Sequence, residues 1–142
     1  MTTAIDRVIA AFESLSVDSV DALGSIYAPN AHFVDPFNDV QGLPAIQRIF
    51  RHMFDTLQQP HFVVTGRVVD AGQCFLVWEF RFRFRSFRRD VAQSVHGTSH
   101  LCFDDEGLIV SHRDYWDAAN ELYAKMPLIG ALMRWLRKRA NS

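Results

Sequence analysis

The chain has 142 residues, of which 49% are hydrophobic, 13% aromatic and 22% charged, and its formal net charge is −1. A chain of this length folds as one domain with a substantial core, and its charge excludes nucleic acid and anionic membranes as obvious partners. Two cysteines without metal or redox spacing predict a reduced, cytoplasmic protein, and no apolar run reaches the length of a signal peptide or a membrane span.

Three helical patterns occupy the N-terminal part of the chain. Apolar residues recur at helical spacing in residues 5–15, 20–26 and 46–57. Pro29 is predicted to end the second helix, and Pro44 lies at the start of the third. Between these two helices, Ala31–Asp35 predicts a short strand that stops at Pro36.

From Pro60 to Trp116 the chain carries only strand patterns, and the longest of them is Cys74–Arg85. Its apolar side chains alternate with charged ones from Glu79 onward, whereas a helix would scatter the same phenylalanines around its circumference. The other predicted strands are His61–Val69, Val91–Phe103 and Leu108–Trp116. Helices followed by an antiparallel meander predict an α+β domain, in which the helices cover the apolar face of a strongly curved sheet and leave a pocket.

Alternation along the strands predicts which side chains face this pocket. On Leu108–Trp116 the inward residues are Leu108, Val110, His112, Asp114 and Trp116, and on Val91–Phe103 they include Val95, Ser99 and Leu101. Phe33 and Asp35 share one face of their short strand. The predicted pocket residues are Phe12, Phe33, Trp78, Phe80, Ser99 and Trp116.

Three polar residues, Asp35, Asp114 and His112, fall on otherwise apolar faces, where a polar group is costly unless it is paired. A structural explanation is that Asp35 caps the turn at Pro36–Asp39, that Asp114 pairs with an arginine or a backbone amide, and that the histidine is a hydrogen-bonded core residue. A functional explanation is acid/base catalysis, because an apolar cavity raises the pKa of an aspartate toward neutrality. Asp35, Asp114 and His112 are therefore the candidate catalytic residues.

A helical extension is predicted over residues 118–142, after the last strand. Its cations suit the C-terminus of a helix. We expect this tail to cover the mouth of the pocket or a second subunit, and we expect no membrane contact.

Two segments of the chain resemble proteins of one known superfamily. Tyr27–Pro36 is similar to the ketosteroid isomerase segment that ends in the catalytic Asp-Pro, and His112–Asp117 resembles the Arg-Asp-Tyr-aromatic-Asp stretch of limonene epoxide hydrolase. With this order of elements, the chain is identified as a member of the SnoaL-like, nuclear-transport-factor-2-like superfamily.

The resemblance implies a cystatin-like cone, one SnoaL-like domain over residues 1–142, and a homodimer formed through the outer face of the sheet. It matches Asp35 to the general base of the isomerase and Asp114 to one aspartate of the hydrolase. Of the two oxyanion-hole donors of the isomerase, the tyrosine falls near Ala11 and Phe12 and the protonated aspartate near Ser99, so neither donor is repeated here. The remaining set of residues is nearest to that of the SnoaL-like cyclases.

The sequence therefore predicts a cofactor-independent enzyme that acts by acid/base chemistry on a medium-sized apolar or aromatic carbonyl compound, in an isomerase- or cyclase-like reaction. The alternative is a non-catalytic small-molecule-binding or dimeric assembly module of the same fold. The expected partners are an apolar small molecule and a second copy of the chain, with no nucleic acid, no metal and no cofactor.

Overall fold

Helices precede the sheet along the chain, in a computed structural model that describes residues 2–85, 88–122 and 127–141. Helices α1 (Thr2–Glu13) and α2 (Leu43–Thr56) flank a 3₁₀ helix at Ser19–Ser25. The strands are β1 (Tyr27–Val34), β2 (Asp39–Gln41), β3 (Leu57–Asp70), β4 (Gln73–Phe84), β5 (Gln93–Phe103) and β6 (Ile109–Tyr115). Two further helices, α3 (Ala118–Glu121) and α4 (Pro127–Asn141), follow the last strand.

The six strands form one curved, unclosed sheet in the order β2-β1-β6-β5-β4-β3. Strands β3 to β6 make the predicted antiparallel meander, and the α+β class is confirmed. One pairing differs from the antiparallel expectation, because β1 runs parallel to β6. These two strands are far apart in the sequence, so their pairing needs no tight hairpin and either direction is open to them.

The helices cover the apolar face of this sheet, as predicted. Ile5 and Val8 of α1 and Ile46 of α2 are at most 1% exposed, and they pack in one cluster with the inward side chains of the sheet. On β4 the alternation is confirmed. Leu76, Trp78, Phe82 and Phe84 are buried, whereas Phe75, Val77 and Arg81 are exposed. This burial of large apolar side chains is the main source of stability for a domain of this kind.

Strand β1 begins at Tyr27, earlier than predicted, and includes Pro29. The prediction was wrong because proline was taken to end a helix. The ladder between β1 and β6 is irregular between Tyr27 and His32, so Pro29 lies where a missing N–H breaks no regular pairing. Tyr27 is thereby brought into the sheet, with its backbone opposite Ile109.

The inward alternation predicted for the last strand is wrong at its start. Ile109 is fully buried and Val110 is 38% exposed, the reverse of the prediction, and Leu108 is half-buried. The register between β5 and β6 shifts next to Phe103, and such a bulge inserts one extra residue on one strand. Alternation is restored beyond the bulge, and His112 is buried as predicted.

The predicted helical extension forms α3 and α4, whereas residues 123–126 and 142 lie outside the described part of the chain. Leu132, Trp135 and Leu136 of α4 are about half exposed. Across the described residues, none of the helices has the length and hydropathy needed to span a membrane.

Candidate active site

A cavity of about 280 Å³ lies between α2 and the apolar face of the sheet. Six of the predicted site residues line it: Phe33, Asp35, Trp78, Phe80, Asp114 and Trp116. The other three, Phe12, Ser99 and His112, line a narrow recess of about 30 Å³ that shares Trp78 and Asp114 with the cavity. A space of about 10–15 Å³ suffices for one water molecule, so the recess is large enough to hold one.

Aromatic rings form a large part of the cavity wall. Among the described residues, the aromatic ones that line it are Phe33, Phe37, Phe50, Phe62, Trp78, Phe80, Phe82 and Trp116. Gly97 of β5 makes room for one of them, because a Cβ atom at Gly97 would lie 2.4 Å from Cη2 of Trp78. The sequence therefore needs glycine at this position for the indole to lie against the strand.

Asp114 receives two side-chain hydrogen bonds on one carboxylate oxygen. Ser99 lies directly opposite Asp114 in the β5–β6 ladder, and its Oγ donates to Oδ1 of Asp114 at 2.5 Å. Nε2 of His112 contacts the same oxygen at 2.7 Å. The hydroxyl of Ser99 in turn accepts a hydrogen bond from Nε1 of Trp78 at 2.9 Å. Because an indole N–H can only donate, this branch of the network has one direction, from Trp78 to Asp114.

The other branch begins at Tyr27, which the sequence analysis did not include in the site. Its hydroxyl lies 2.6 Å from Nδ1 of His112, and both side chains are buried. Burial, reinforced by the negative charge of Asp114, raises the pKa of Tyr27 well above its ordinary value, so the phenol remains protonated. A neutral imidazole that accepts from Tyr27 at Nδ1 and donates from Nε2 to Oδ1 of Asp114 would satisfy both contacts of His112.

Asp35 is held by the turn that follows β1. Its Oδ1 accepts from the backbone N–H of Phe37 at 2.8 Å and of Asn38 at 2.7 Å, and the Asn38 amide donates to both carboxylate oxygens. Burial raises the pKa of Asp35, the hydrogen bonds from Phe37 and Asn38 oppose that rise, and the charge of Asp114 adds to it. The turn-capping explanation of Asp35 therefore holds, although the same side chain also lines the cavity.

Asp114 differs from Asp35 in keeping one oxygen open. Its side chain is 17% exposed, and Oδ2 makes no hydrogen bond within the part of the chain that the structure describes. In that same part, the one buried side-chain polar atom without a partner is Nε2 of Gln93. Oδ2 of Asp114 is therefore not fully enclosed by the described residues, and the side chain lies at the cavity, at the recess and at an open groove that also includes Arg113.

Metal chemistry has no candidate ligand set among residues 2–85, 88–122 and 127–141. No three His, Cys, Asp or Glu side chains come together there as a metal site requires. His112 and Asp114 are neighbours, but the hydrogen bonds of the network engage both imidazole nitrogens.

A comparison with protein families identifies one family. Residues 5–112 match the profile of the SnoaL-like domain family. No curated protein sequence matches the chain.

Solved structures of proteins that are described in different ways share the fold. A protein with a ketosteroid isomerase-like fold from Catenulispora acidiphila DSM 44928, in complex with trimethylamine, is 16% identical with a TM-score of 0.72, over 84% of this chain and 88% of that one. An NTF2-like protein of unknown function from Burkholderia pseudomallei K96243 is 13% identical with a TM-score of 0.72, over 84% and 94% of the two chains. An LEH-like epoxide hydrolase of M. tuberculosis is 13% identical with a TM-score of 0.65, over 84% and 79%. At such identities the likeness shows the fold alone.

Proposed function

This chain belongs to the SnoaL-like domain family, and we propose that it is a cofactor-independent acid/base enzyme acting on a medium-sized apolar or aromatic carbonyl compound, in an isomerase- or cyclase-like reaction. The observation that carries the proposal is the environment of Asp114. One of its oxygens is fixed by Ser99 and His112, the other makes no hydrogen bond in the described part of the chain, and the residue lines an apolar cavity.

In the proposed reaction, Oδ2 of Asp114 removes a proton from a carbon next to the substrate carbonyl. The C–H bond breaks, an O–H bond forms on Asp114, and the electron pair moves into the carbonyl group to give an enolate. Asp114 then returns the proton, at another carbon for an isomerisation. Ser99 and His112 position the carboxylate in both steps, and Asp35, on the wall of the same cavity, holds the polar end of the substrate.

The test uses proton exchange, because exchange reports carbon deprotonation without knowledge of the natural product. The probe is 2-tetralone, a bicyclic aromatic ketone, incubated with the protein in D₂O while NMR follows loss of its α-protons. We expect the protein to accelerate exchange and the Asp114→Asn variant to lose about 100-fold or more of that acceleration, which is the usual contribution of a general base. Asparagine keeps an Oδ1 that can accept from Ser99 and His112, so the fold is expected to survive.

The matched control is Asp70→Asn, at the exposed end of β3, which should exchange the ketone at the wild-type rate. Binding of 2-tetralone, followed by the thermal midpoint, should be kept in both variants. Equal exchange by the wild type and by Asp114→Asn, with both folded, would remove Asp114 from the role of base.

The second candidate function is a non-catalytic small-molecule-binding module, and the hydrogen bonds of Asp35 favour it. This carboxylate satisfies two backbone N–H groups of its own turn, a sufficient structural reason for its presence. A wild-type protein that binds 2-tetralone but does not accelerate its exchange above the buffer rate would support the binding module.

A further inference from the structure

Among the described residues that line the cavity, two are acidic. Asp35 and Asp114 are its acidic residues, and none of the described residues that line it is lysine or arginine. His52, near the C-terminal end of α2, is the one other titratable side chain among them. Such a cavity attracts cations and repels anions, and low-dielectric walls strengthen both effects.

The hydrogen bonds of His112 favour a neutral imidazole. A protonated imidazole would carry a hydrogen on Nδ1 as well as on Nε2, and Tyr27 would then have to accept the hydrogen bond from Nδ1. The phenol is 1% exposed, and His112 is its one hydrogen-bond partner in the described part of the chain, so its own O–H would be left without an acceptor. The neutral imidazole leaves the negative charge of Asp114 beside the cavity.

The aromatic rings around these carboxylates favour the same class of ligand. The faces of Phe and Trp rings carry partial negative charge and attract ammonium groups, most strongly where water is excluded. Trp116 packs edge-on against Phe37 at a centroid distance of 5.6 Å, and both rings line the cavity together with Asp35 and Asp114. Two carboxylates among aromatic walls are the composition of a site for an organic cation.

We infer that the cavity takes a ligand with an apolar body and a cationic amine, protonated or quaternary, held by Asp35 and Asp114 among the aromatic side chains, and that it rejects carboxylates and phosphates. This inference rests on the proposed function, since it names the polar end of the substrate in the same cavity. It restricts the substrate class to amino ketones and related carbonyl compounds. In that division of roles Asp35 anchors the ammonium, and Oδ2 of Asp114 remains available to the carbon that reacts.

The experiment compares three probes of similar size and different charge. Phenyltrimethylammonium is the cation, tert-butylbenzene is its neutral isostere, and benzenesulfonate is the anion, each titrated into the full chain and followed by ligand-observed NMR. We expect the cation to bind about tenfold or more tightly than the neutral isostere, and the anion not to bind. Equal binding of cation and neutral isostere, tighter binding of the neutral compound, or no binding of the cation would each overturn the inference, and this comparison needs only the wild-type protein.

Two variants test whether Asp35 and Asp114 cause the preference for the cation. Asp35→Asn and Asp114→Asn should each bring the affinity for phenyltrimethylammonium toward that for tert-butylbenzene, and the affinity for the neutral compound should stay unchanged. The control is Asp39→Asn on β2, an exposed aspartate that pairs with His32 outside the cavity lining. A cation preference that survives both cavity substitutions would contradict the assignment.

Failure of this inference is distinguishable from failure of the proposed function. If exchange of 2-tetralone depends on Asp114 but the cation is not preferred, the inference of an amine ligand is overturned and the proposal of an acid/base enzyme stands. If the preference for the cation depends on both carboxylates but 2-tetralone is not exchanged, the amine site is supported and the proposal of an acid/base enzyme is overturned.

Discussion

Asp35 and Asp114 line the same cavity but are held by two different kinds of structure. Asp35 follows β1, and its partners are Phe37 and Asn38, two and three residues further along the chain. Asp114 lies on β6, and its partners lead to Ser99 on β5, to Trp78 on β4 and, through His112, to Tyr27 on β1. One carboxylate belongs to a turn, and the other connects four strands.

Because of this difference, Asp35 has mainly a structural role, whereas Asp114 remains available for chemistry. The turn engages both oxygens of Asp35, whereas the network holds Asp114 by Oδ1 and leaves Oδ2 without a hydrogen bond from the described residues. A base must be rigid and still have a free lone pair, so the long-range network suits catalysis better than the local turn.

The Gly97→Ala substitution should have the largest effect on stability. The added methyl group would lie 2.4 Å and 2.7 Å from two ring atoms of Trp78 and 3.0 Å from Cβ of Trp116, so the indole must move and its bond to Ser99 must break. We expect a loss of about 3 kcal/mol in the free energy of unfolding, from overpacking and the lost hydrogen bond together. Urea denaturation measures this change.

Gly66→Ala on β3 is the control, because its Cβ would meet Val77 at an ordinary 3.8 Å. Its effect should stay within about 0.5 kcal/mol. Unchanged stability in Gly97→Ala would show that Trp78 is not held against β5 as described.

The Tyr27→Phe substitution should have an intermediate effect, on the other branch of the network. It removes the hydroxyl that contacts Nδ1 of His112 and leaves a buried acceptor without a donor. We expect a loss of about 1.5 kcal/mol in the free energy of unfolding, together with a shifted His112 ring resonance in NMR. Tyr115→Phe, at an exposed ring, is the control and should change stability by less than about 0.5 kcal/mol. An unmoved His112 resonance would mean that Tyr27 does not set its tautomer.

The local turn of Asp35 and the long-range network of Asp114 also differ in how far they could be predicted from the sequence. Strict alternation in β4 was sufficient to predict its buried face, and the turn residues after Asp35 indicated capping as one of its two possible roles. Both depend on neighbours in the chain, where spacing decides geometry. The inward placement of Asp114 and His112 followed in the same way from alternation within one strand.

The network itself could not be predicted, because it depends on register between strands. Ser99 reaches Asp114 because the two are paired in the β5–β6 ladder, and a shift by one residue would send either side chain to the other face. Val110 was misplaced for the same reason, since the bulge is invisible in the alternation. Tyr27 was missed because Pro29 was taken to end a helix. Continuing the alternation of Phe33 and Asp35 backwards would have placed Tyr27 on their face.

The smallest expected effect is a pH dependence of stability at Asp35. Burial raises the pKa of its carboxyl above the ordinary value of 3.8 that applies to the unfolded chain. Between the unfolded and folded pKa values the native state holds more protons than the unfolded state, so this group's contribution to stability falls as pH rises through that interval. Asp35→Asn should therefore become more stable relative to the wild type between pH 4 and pH 7.

The measurement is the difference in urea midpoint between wild type and Asp35→Asn at the two pH values, with Asp70→Asn as the control that should show no such trend. Asparagine retains the oxygen that accepts from Phe37 and Asn38, so the turn is kept and only the titration is removed. The opposite trend, with the variant losing relative stability as pH rises, would mean that the turn's hydrogen bonds outweigh burial. Asp35 would then be a turn residue whose ionised form is stabilised by the hydrogen bonds of its own turn. Asp114 would be the one of the two carboxylates whose charge the cavity has to stabilise.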